Sequence, residues 1–456
     1  MAVTDVHCVS EFGAVGDGST LNSVAIQKAL DTAGEAGGGT VRIPAGVFRC
    51  GTIELRSNVL LELAGGAVLK GSEEMADYPA HETNVNPQGN VDLQPHHFIV
   101  ADGVENAGIV GSGTIDGSGP AFWDPPSACD FFTRKGSRPS PMLEIRGCRD
   151  FLLRGVTVYD SPGWTVHVND SRRVRVQGVN IRNNLLGPNT DGLDITDSRD
   201  VIVSDCNIVA GDDAIVLKSL GGVNERITVT NCILQTNCSA LKLGASESIG
   251  TIRQVAMSNC VVRESSRGIS LYNLAGGTFE DVSFSNIVID CDVAMPLVCP
   301  IHLNLSRHPD DEHNRGIGVI RNVRICDVLC RSKSRILLTA QDGGMMENIF
   351  LRGIHMEYPS VENRFEQARE AHRAGQFSPF SPDARAAKAV VVAENIRNLQ
   401  VSDVSTHWPS DCEVPMGVLW ARNVRGGRFD CPLATPSLVG VEAMDVESSD
   451  FQISTE

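Results

Sequence analysis

The sequence is poor in several features that mark common classes of protein. Aromatic residues make up 5% of the 456 residues, and no apolar run is long enough to cross a bilayer. The 39 basic residues are outnumbered by 56 acidic ones, and the resulting net charge of −17 argues against nucleic acid or an anionic membrane as a partner. Among the 14 cysteines and 11 histidines no spacing typical of a zinc site occurs. We therefore predict no metal ion and no other cofactor.

The amino-terminal residues also lack the basic and apolar segments of a secretory signal. Cys206, Cys232 and Cys260 recur at one position of a sequence repeat, which predicts a buried ladder of free thiols rather than disulfides. Both observations favour a cytoplasmic location, with secretion as the alternative if a signal peptide has been removed. The oligomeric state is not indicated by the sequence.

What the chain does have is a repeat of about 27 residues, in the range typical of solenoid proteins. Each copy is a short alternating β segment, a turn containing Asn, Asp or Gly, and a second β segment, with copies beginning at Val176, Val203, Thr228, Ala256 and Ser283. The helical stretches that a doubly wound fold needs between its strands are missing from this pattern. We therefore predict an all-β fold, a right-handed parallel β-helix (β-solenoid) of about ten coils.

Two segments depart from the repeat. From Ser23 to Gly34 the apolar residues share one face of a helix, which predicts a helical cap on the N-terminal coil. Such a cap prevents edge-to-edge pairing of the open coil end. Residues 357–387 are rich in Arg, Glu and Ala and contain Pro379 and Pro382, and they predict a loop or helical excursion over the face of the coils. We expect residues 1–456 to form a single β-helix domain.

Three carboxylates stand close together in the repeat region, in the strings Asn189-Thr190-Asp191-Gly192 and Gly211-Asp212-Asp213. If the repeats stack, these strings lie on adjacent turns, whose backbones are about 4.8 Å apart. Clustered carboxylates suit hydrolysis of a glycosidic bond, where one donates a proton and others activate water. Because carboxylates packed together cannot all ionise cheaply, one of them is expected to stay protonated near neutral pH. Asn189 is expected to orient Asp191 through its amide.

At these residues the chain resembles glycoside hydrolase family 28, the polygalacturonase family. The two strings occur in the family's order, and further matching segments run from Phe12 to Gly18, from Gly113 to Gly119 and from Ser161 to His167. The resemblance implies an inverting hydrolase in which Asp212 is the general acid, while Asp191 and Asp213 bind and activate water. It also implies an oligosaccharide or glycoside derived from a plant polysaccharide such as pectin as the substrate.

Two family features are replaced in this chain. Where the family has Gly-His-Gly, whose histidine supports the acid, Ser239 stands near the histidine's place. Where the family has Arg-Ile-Lys, which grips the galacturonate carboxylate, we favour Ser270 and Tyr272 as replacements, although a shift of three positions would give Arg267 the arginine role. A site without the basic pair loses bidentate recognition of a carboxylate. Typical polygalacturonate is therefore not expected as the substrate.

Several other polar side chains are candidates for binding the substrate. Lys218 and Lys242 could supply positive charge from another direction, Glu247 could accept hydrogen bonds from sugar hydroxyls, and Tyr272 could stack on a sugar ring. The full set of substrate-binding candidates is Asn189, His167, Lys218, Lys242, Glu247, Arg267 and Tyr272.

The expected function is inverting, exo-acting cleavage of a pectin-like oligosaccharide or glycoside. Two alternatives stay open on the same scaffold, because a fold does not by itself fix a function. The first is a polysaccharide lyase or epimerase, for which Lys218, Lys242 and Tyr272 offer a base. The second is a non-catalytic β-helix that binds glycans.

Overall fold

A computed structural model describes residues 5–81, 93–125, 132–291, 298–307, 315–359, 381–409, 417–430, 444–445 and 451–454. The chain divides into two compact units, residues 1–215 with 226–232 and residues 216–225 with 233–456. In the described ranges no helix is both long and apolar enough to cross a membrane.

Helices are few. The α-helices α1 and α2 comprise Ser23–Glu35 and Pro382–Ala386, and short 3-10 helices lie at Val9–Phe12, Met75–Asp77 and Gly119–Phe122.

The strands in the first part of the chain are short. In chain order they are β1 (Val6–Cys8), β2 (Asp17–Leu21), β3 (Gly39–Ile43), β4 (Gly46–Cys50), β5 (Ile53–Glu54), β6 (Val59–Leu63), β7 (Ala67–Gly71), β8 (Ile99–Asp102), β9 (Gly108–Gly111), β10 (Thr114–Asp116), β11 (Trp123–Asp124), β12 (Thr133–Arg134), β13 (Leu143–Arg146), β14 (Leu152–Arg154), β15 (Thr157–Tyr159), β16 (Val166–Asn169), β17 (Arg172–Gln177), β18 (Asn180–Arg182), β19 (Leu193–Thr196), β20 (Arg199–Ser204) and β21 (Asn207–Ala210).

Longer strands dominate the remainder. They are β22 (Ile215–Lys218), β23 (Val223–Thr230), β24 (Ile233–Thr236), β25 (Ser239–Ala245), β26 (Thr251–Val262), β27 (Arg267–Asn273), β28 (Thr278–Cys291), β29 (Cys299–Leu305), β30 (Val319–Ser332), β31 (Ile336–Ala340), β32 (Met346–Glu357), β33 (Ala389–His407), β34 (Gly417–Asp430), β35 (Met444–Asp445) and β36 (Phe451–Ser454).

The first unit is built from parallel ladders in which each coil contributes one strand to each ladder. One ladder joins β5, β8, β13, β16 and β19. A second joins β1, β3, β6, β9, β14, β17 and β20. A third joins β2, β4, β7, β10, β15, β18 and β21. Strands that pair with the next coil, rather than with their sequence neighbours, define a parallel β-helix.

Aliphatic side chains stack in register through the interior of these coils. Leu143, Val166 and Leu193 are aligned on successive strands and are all buried. Full burial of one such side chain contributes about 1.5–3 kcal/mol to stability. The repeated alternation of apolar residues in the sequence therefore fixes which face of each strand points inward.

Asparagine and aspartate occupy the sharp turns between ladders. Asp205 and Asn231 have φ angles of 59° and 56°, a left-handed conformation that these two residue types tolerate better than most. The Asn231 amide donates to Asp205 Oδ1 at 3.3 Å. Cys206 and Cys232 follow these turns and are buried, free thiols, as the repeat predicts.

The second unit continues the same construction with longer strands that bend from one ladder into the next. One ladder joins β25, β27, β29, β31, β33 and β34. Another joins β24, β26, β28, β30, β32, β33, β34 and β36. Helix α2 packs on the first of these ladders through a buried apolar cluster of Cys299, Leu337, Ala384, Ala387, Ala389, Val392 and Trp420.

The predicted all-β, right-handed parallel β-helix with an N-terminal helical cap is confirmed. Helix α1 coincides with the predicted cap within one residue and buries Ile26, Ala29, Leu30 and Ala33. Of the excursion predicted for residues 357–387, α2 forms the described helical part, and residues 360–380 lie outside the described ranges. A single domain over residues 1–456 stays a prediction.

Candidate active site

The three predicted carboxylates are brought onto adjacent coils of the first unit. The Gly192 amide donates to the Asp213 carbonyl at 2.8 Å, and the Leu193 amide donates to the Ala214 carbonyl at 3.0 Å. These bonds align the segment of Asp191 with the segment of Asp213. Asp191 and Asp213 are buried, whereas Asp212 between them in sequence is half-buried. Asp212 is therefore the member of the set with the most access to solvent.

Gly211 permits the two carboxylate-bearing segments to lie against each other. The Gly211 amide donates to Thr190 Oγ1 at 3.1 Å. A Cβ atom at position 211 would lie 2.4 Å from Thr190 Oγ1 and 2.5 Å from the Gly187 carbonyl oxygen. Real side chains do not approach that closely, so any other residue here would push the turn of Asp191 away from Asp212.

The turn before Asp191 is shaped by Asn189, whose φ of 51° is left-handed. The Asn189 Nδ2 atom lies 3.5 Å from Asp212 Oδ2, so this amide faces Asp212, whereas sequence reasoning favoured Asp191 as its partner. The side-chain oxygen of Asn189 accepts a hydrogen bond from Arg138 Nη2 at 3.3 Å. Thr190 Oγ1 closes the turn by donating to the Gly187 carbonyl at 3.1 Å.

His167 lies in a buried polar chain in the neighbouring coils. Its Nδ1 is 2.7 Å from Glu144 Oε2 and its Nε2 is 2.8 Å from Thr196 Oγ1. Its ring packs edge-on against Trp164 with centroids 5.4 Å apart. Because His167 is 0% exposed, the structure favours a supporting role over direct contact with a sugar.

Electrostatics explain how Glu144 stays charged at this depth. Burial raises the pKa of Glu144, but the charge of His167 and its hydrogen bond outweigh burial and hold that pKa below its ordinary value of 4.5. Asp194 is in register with His167 on the next strand and is likewise buried. The outward face of these strands thus carries a line of buried polar groups.

In the second unit, Lys218 and Glu247 form a buried ion pair. Lys218 Nζ lies 3.3 Å from Glu247 Oε1, and both residues are buried. The two predicted substrate contacts therefore bind each other in this conformation. Breaking such a pair is costly because it leaves one charge buried and uncompensated.

The remaining candidates cluster around Tyr272. Lys242 Nζ and the Arg267 guanidinium lie 5.8 Å and 5.9 Å from the centre of its ring. Its hydroxyl lies 3.0 Å from His302 Nδ1. Burial, followed by the positive charges of Arg267 and Arg335, lowers the pKa of His302 to about 3. Tyr272 is 1% exposed, so it does not offer its face for stacking on a sugar in this conformation.

The pairing of neighbouring strands shows where these residues lie relative to the two replaced family motifs. Lys242, Ser270 and His302 share one position on successive strands, and Ser239 is in register with Arg267. The lysine thus lies one strand away from the serine that we placed at the family's arginine position. The choice between Arg267 and Ser270 with Tyr272 for the basic pair stays a prediction.

Comparison with known proteins assigns the chain to a family. Residues 37–373 match the family model of glycosyl hydrolases family 28. The chain belongs to glycoside hydrolase family 28. This confirms the family resemblance drawn from the two aspartate-containing strings.

The relatives of this chain are distant in sequence. A probable polygalacturonase of Arabidopsis thaliana is 29% identical over 299 residues, which cover 64% of this chain and 59% of that protein. An endo-polygalacturonase of Pectobacterium carotovorum subsp. carotovorum is 29% identical over 302 residues, which cover 62% of this chain and 72% of that protein.

Solved structures share the fold. A family 28 exopolygalacturonase of Yersinia enterocolitica has a TM-score of 0.73 at 19% identity, covering 93% of this chain and 78% of that one. A hyperthermoactive exopolygalacturonase of Thermotoga maritima has a TM-score of 0.68 at 21% identity, covering 88% of this chain and 92% of that one. At these identities the likeness shows the fold alone.

Sequence reasoning missed Arg138, Glu144 and Asp194 in this family 28 chain. Two of them, Glu144 and Asp194, carry a signal in the sequence. Like His167, each stands between two aliphatic residues at the same position of successive repeats. A polar residue that recurs at one outward position of stacked strands indicates a polar row. Arg138 lies outside the repeats and carries no comparable signal.

Proposed function

We propose that this family 28 chain is an inverting glycoside hydrolase that cleaves a pectin-derived oligosaccharide from one end. The observation that carries the proposal is the convergence of Asp191, Asp212 and Asp213 on adjacent coils, held by the Gly192–Asp213 backbone bond and the close contact at Gly211. Paired carboxylates on either side of a glycosidic bond are what this chemistry requires.

In the proposed mechanism the most exposed carboxyl group acts as the acid, and the two buried carboxylates activate water. Asp212, half-buried and faced by the Asn189 amide, donates its proton to the glycosidic oxygen as the bond to the anomeric carbon breaks. Asp191 and Asp213 hold a water molecule, take its proton and direct its oxygen to the opposite face of the anomeric carbon. The product sugar is therefore inverted. Proton exchange with solvent then returns the carboxyl groups to their starting states.

Action from a chain end is supported by the names of structural neighbours. Both solved structures reported above carry the name exopolygalacturonase, which agrees with exo action here.

A uronate-bearing substrate is supported by relatives. A relative of Dickeya chrysanthemi, 28% identical over 255 residues, is named exo-poly-alpha-D-galacturonosidase. The expectation that typical polygalacturonate is not cleaved rests on the replaced basic pair alone and stays a prediction.

The test is a product screen. Wild type, Asp212→Asn and a control variant, Asp205→Asn, are incubated with oligogalacturonides, other uronate-bearing plant oligosaccharides and neutral ones. Asp205 is a suitable control because its carboxylate bonds to Asn231 in a turn and not to the candidate site. We expect a new reducing sugar with wild type and Asp205→Asn but not with Asp212→Asn.

Three outcomes would contradict the proposal. Turnover that survives Asp212→Asn would remove that residue from the acid role. A product that absorbs in the ultraviolet because its sugar is unsaturated would show elimination rather than hydrolysis, as a lyase catalyses. Binding without any turnover by the wild type would favour the glycan-binding alternative.

A further inference from the structure

Arg138 places a buried charge directly beside the turn that carries Asn189 and Asp191. The residue is 0% exposed. Its Nη1 donates to the Pro162 carbonyl at 2.8 Å and to the Pro188 carbonyl at 2.6 Å, and its Nη2 donates to Asn189 Oδ1 at 3.3 Å. Burying a guanidinium is expensive unless its donors find acceptors, and two of these acceptors belong to the turn itself.

We propose that Arg138 is a positioning residue that fixes the orientation of the Asn189 amide and, through it, the setting of Asp212. Because Arg138 occupies the amide oxygen, the Asn189 Nδ2 atom is the one that faces Asp212 Oδ2, at 3.5 Å. A half-turn of this amide would direct an oxygen at the carboxylate instead. The proposal rests on the proposed function in so far as Asp212 is the acid, whereas the claim about the Asn189 orientation does not depend on it.

The rest of the turn is held independently of Arg138. Thr190 Oγ1 donates to the Gly187 carbonyl, and the Asn183 amide donates to the Thr190 carbonyl at 3.2 Å. These bonds restrain the Thr190 side, while Arg138 restrains the Pro188 and Asn189 side. Loss of Arg138 should therefore loosen Asn189 while leaving the coil folded.

Arg138 is itself fixed in place by its surroundings. Its backbone amide donates to Gln94 Oε1 at 2.9 Å. A Cβ atom at Gly163 would lie 3.1 Å from Arg138 Nε and 2.4 Å from Ser140 Oγ, so the chain around Arg138 packs tightly against that glycine. A guanidinium held this firmly can act as a rigid fork, which the single ammonium group of lysine cannot imitate.

The experiment is a double-mutant cycle of Arg138→Met and Asn189→Ala, with Arg138→Lys as the conservative variant. We expect Arg138→Met to lower kcat about 10- to 100-fold with little change in KM, because a misplaced catalytic group mainly affects the transition state. The loss of kcat in the double variant should be smaller than the product of the two single losses, since both changes remove the contact between Arg138 and Asn189.

Arg335→Met is the matched control. Arg335 is also buried and donates to main-chain carbonyls, those of Ala387 and Arg385. We expect this variant to be less stable but to keep the wild-type kcat. Multiplicative losses in the Arg138 and Asn189 variants, or an Arg138→Met kcat within twofold of wild type, would overturn the proposal.

Crystal structures of the wild type and Arg138→Met separate this proposal from the proposed function. We expect the Asn189 side chain and the Pro188 carbonyl to move in the variant, and an unchanged turn would refute the positioning role. This comparison holds even if the wild type cleaves no sugar, a result that would count against the proposed function alone.

Discussion

Gly211→Ala should disable the candidate site while leaving the protein folded. The added Cβ would lie 2.5 Å from the Gly187 carbonyl oxygen and 2.4 Å from Thr190 Oγ1, where ordinary contact begins at 3.4 Å. The turn of Asp191 must therefore retreat from Asp212 by up to about 1 Å. A displacement of that size can lower kcat about 100-fold, equivalent to about 2.7 kcal/mol of transition-state stabilisation.

Unfolding and activity should respond differently to this substitution. Overpacking of this kind costs about 1–3 kcal/mol of stability, which a chain of this size is expected to survive. The assay is the initial rate of reducing-sugar release, measured beside thermal unfolding. Gly65→Ala is the control, because a Cβ there would meet only Ser112 Oγ, at 3.4 Å. A Gly211→Ala enzyme with kcat close to that of Gly65→Ala would refute the reasoning.

Two further predictions concern buried titratable groups. Glu144→Gln should lower the unfolding free energy by about 3 kcal/mol at neutral pH, because it breaks the buried pair with His167. Since His167 holds the pKa of Glu144 below 4.5, the pair's contribution is complete above that pH and is lost as the pH falls through the lower folded-state pKa, so the variant should lose less stability on acidification. Denaturant unfolding between about pH 3 and pH 7 checks this, and equal acid sensitivity would contradict it. His302 has a pKa of about 3 in the folded protein, so the unfolded chain binds a proton below about pH 6.5 that the folded chain does not. The free energy of unfolding of the wild type should therefore fall by up to about 1.4 kcal/mol for each unit by which the pH is lowered between about 6.5 and about 3. His302→Gln should abolish this pH dependence in the same denaturant unfolding experiment.

The features of the fold that were predicted from sequence depend on short-range rules. Helix α1 was predictable because Ile26, Ala29, Leu30 and Ala33 recur with helical spacing. The coils were predictable because Asn and Asp recur at turns that require left-handed backbone, as at Asn231. Both signals are contained within a single repeat or helix, so no knowledge of distant contacts was needed.

The environment of the site was less predictable because it depends on residues far apart in the sequence. Arg138 and Asn189 are 51 residues apart, and no spacing rule links them. Burial of Tyr272 and His167 was also not predictable, since an outward polar residue on a strand has the same sequence pattern whether another segment covers it or not. The carboxylates themselves were found because their two strings lie in consecutive repeats.

The most direct test of the central claim is real-time proton NMR of the first sugar released by the wild type from an oligogalacturonide or related uronate-bearing oligosaccharide. Inverting hydrolysis by Asp191, Asp212 and Asp213 predicts that the initial product carries the anomeric configuration opposite to that of the cleaved bond, before mutarotation, and that Asp212→Asn gives no such signal. A first product with retained configuration would contradict the account, because it requires a covalent intermediate in place of direct attack by water.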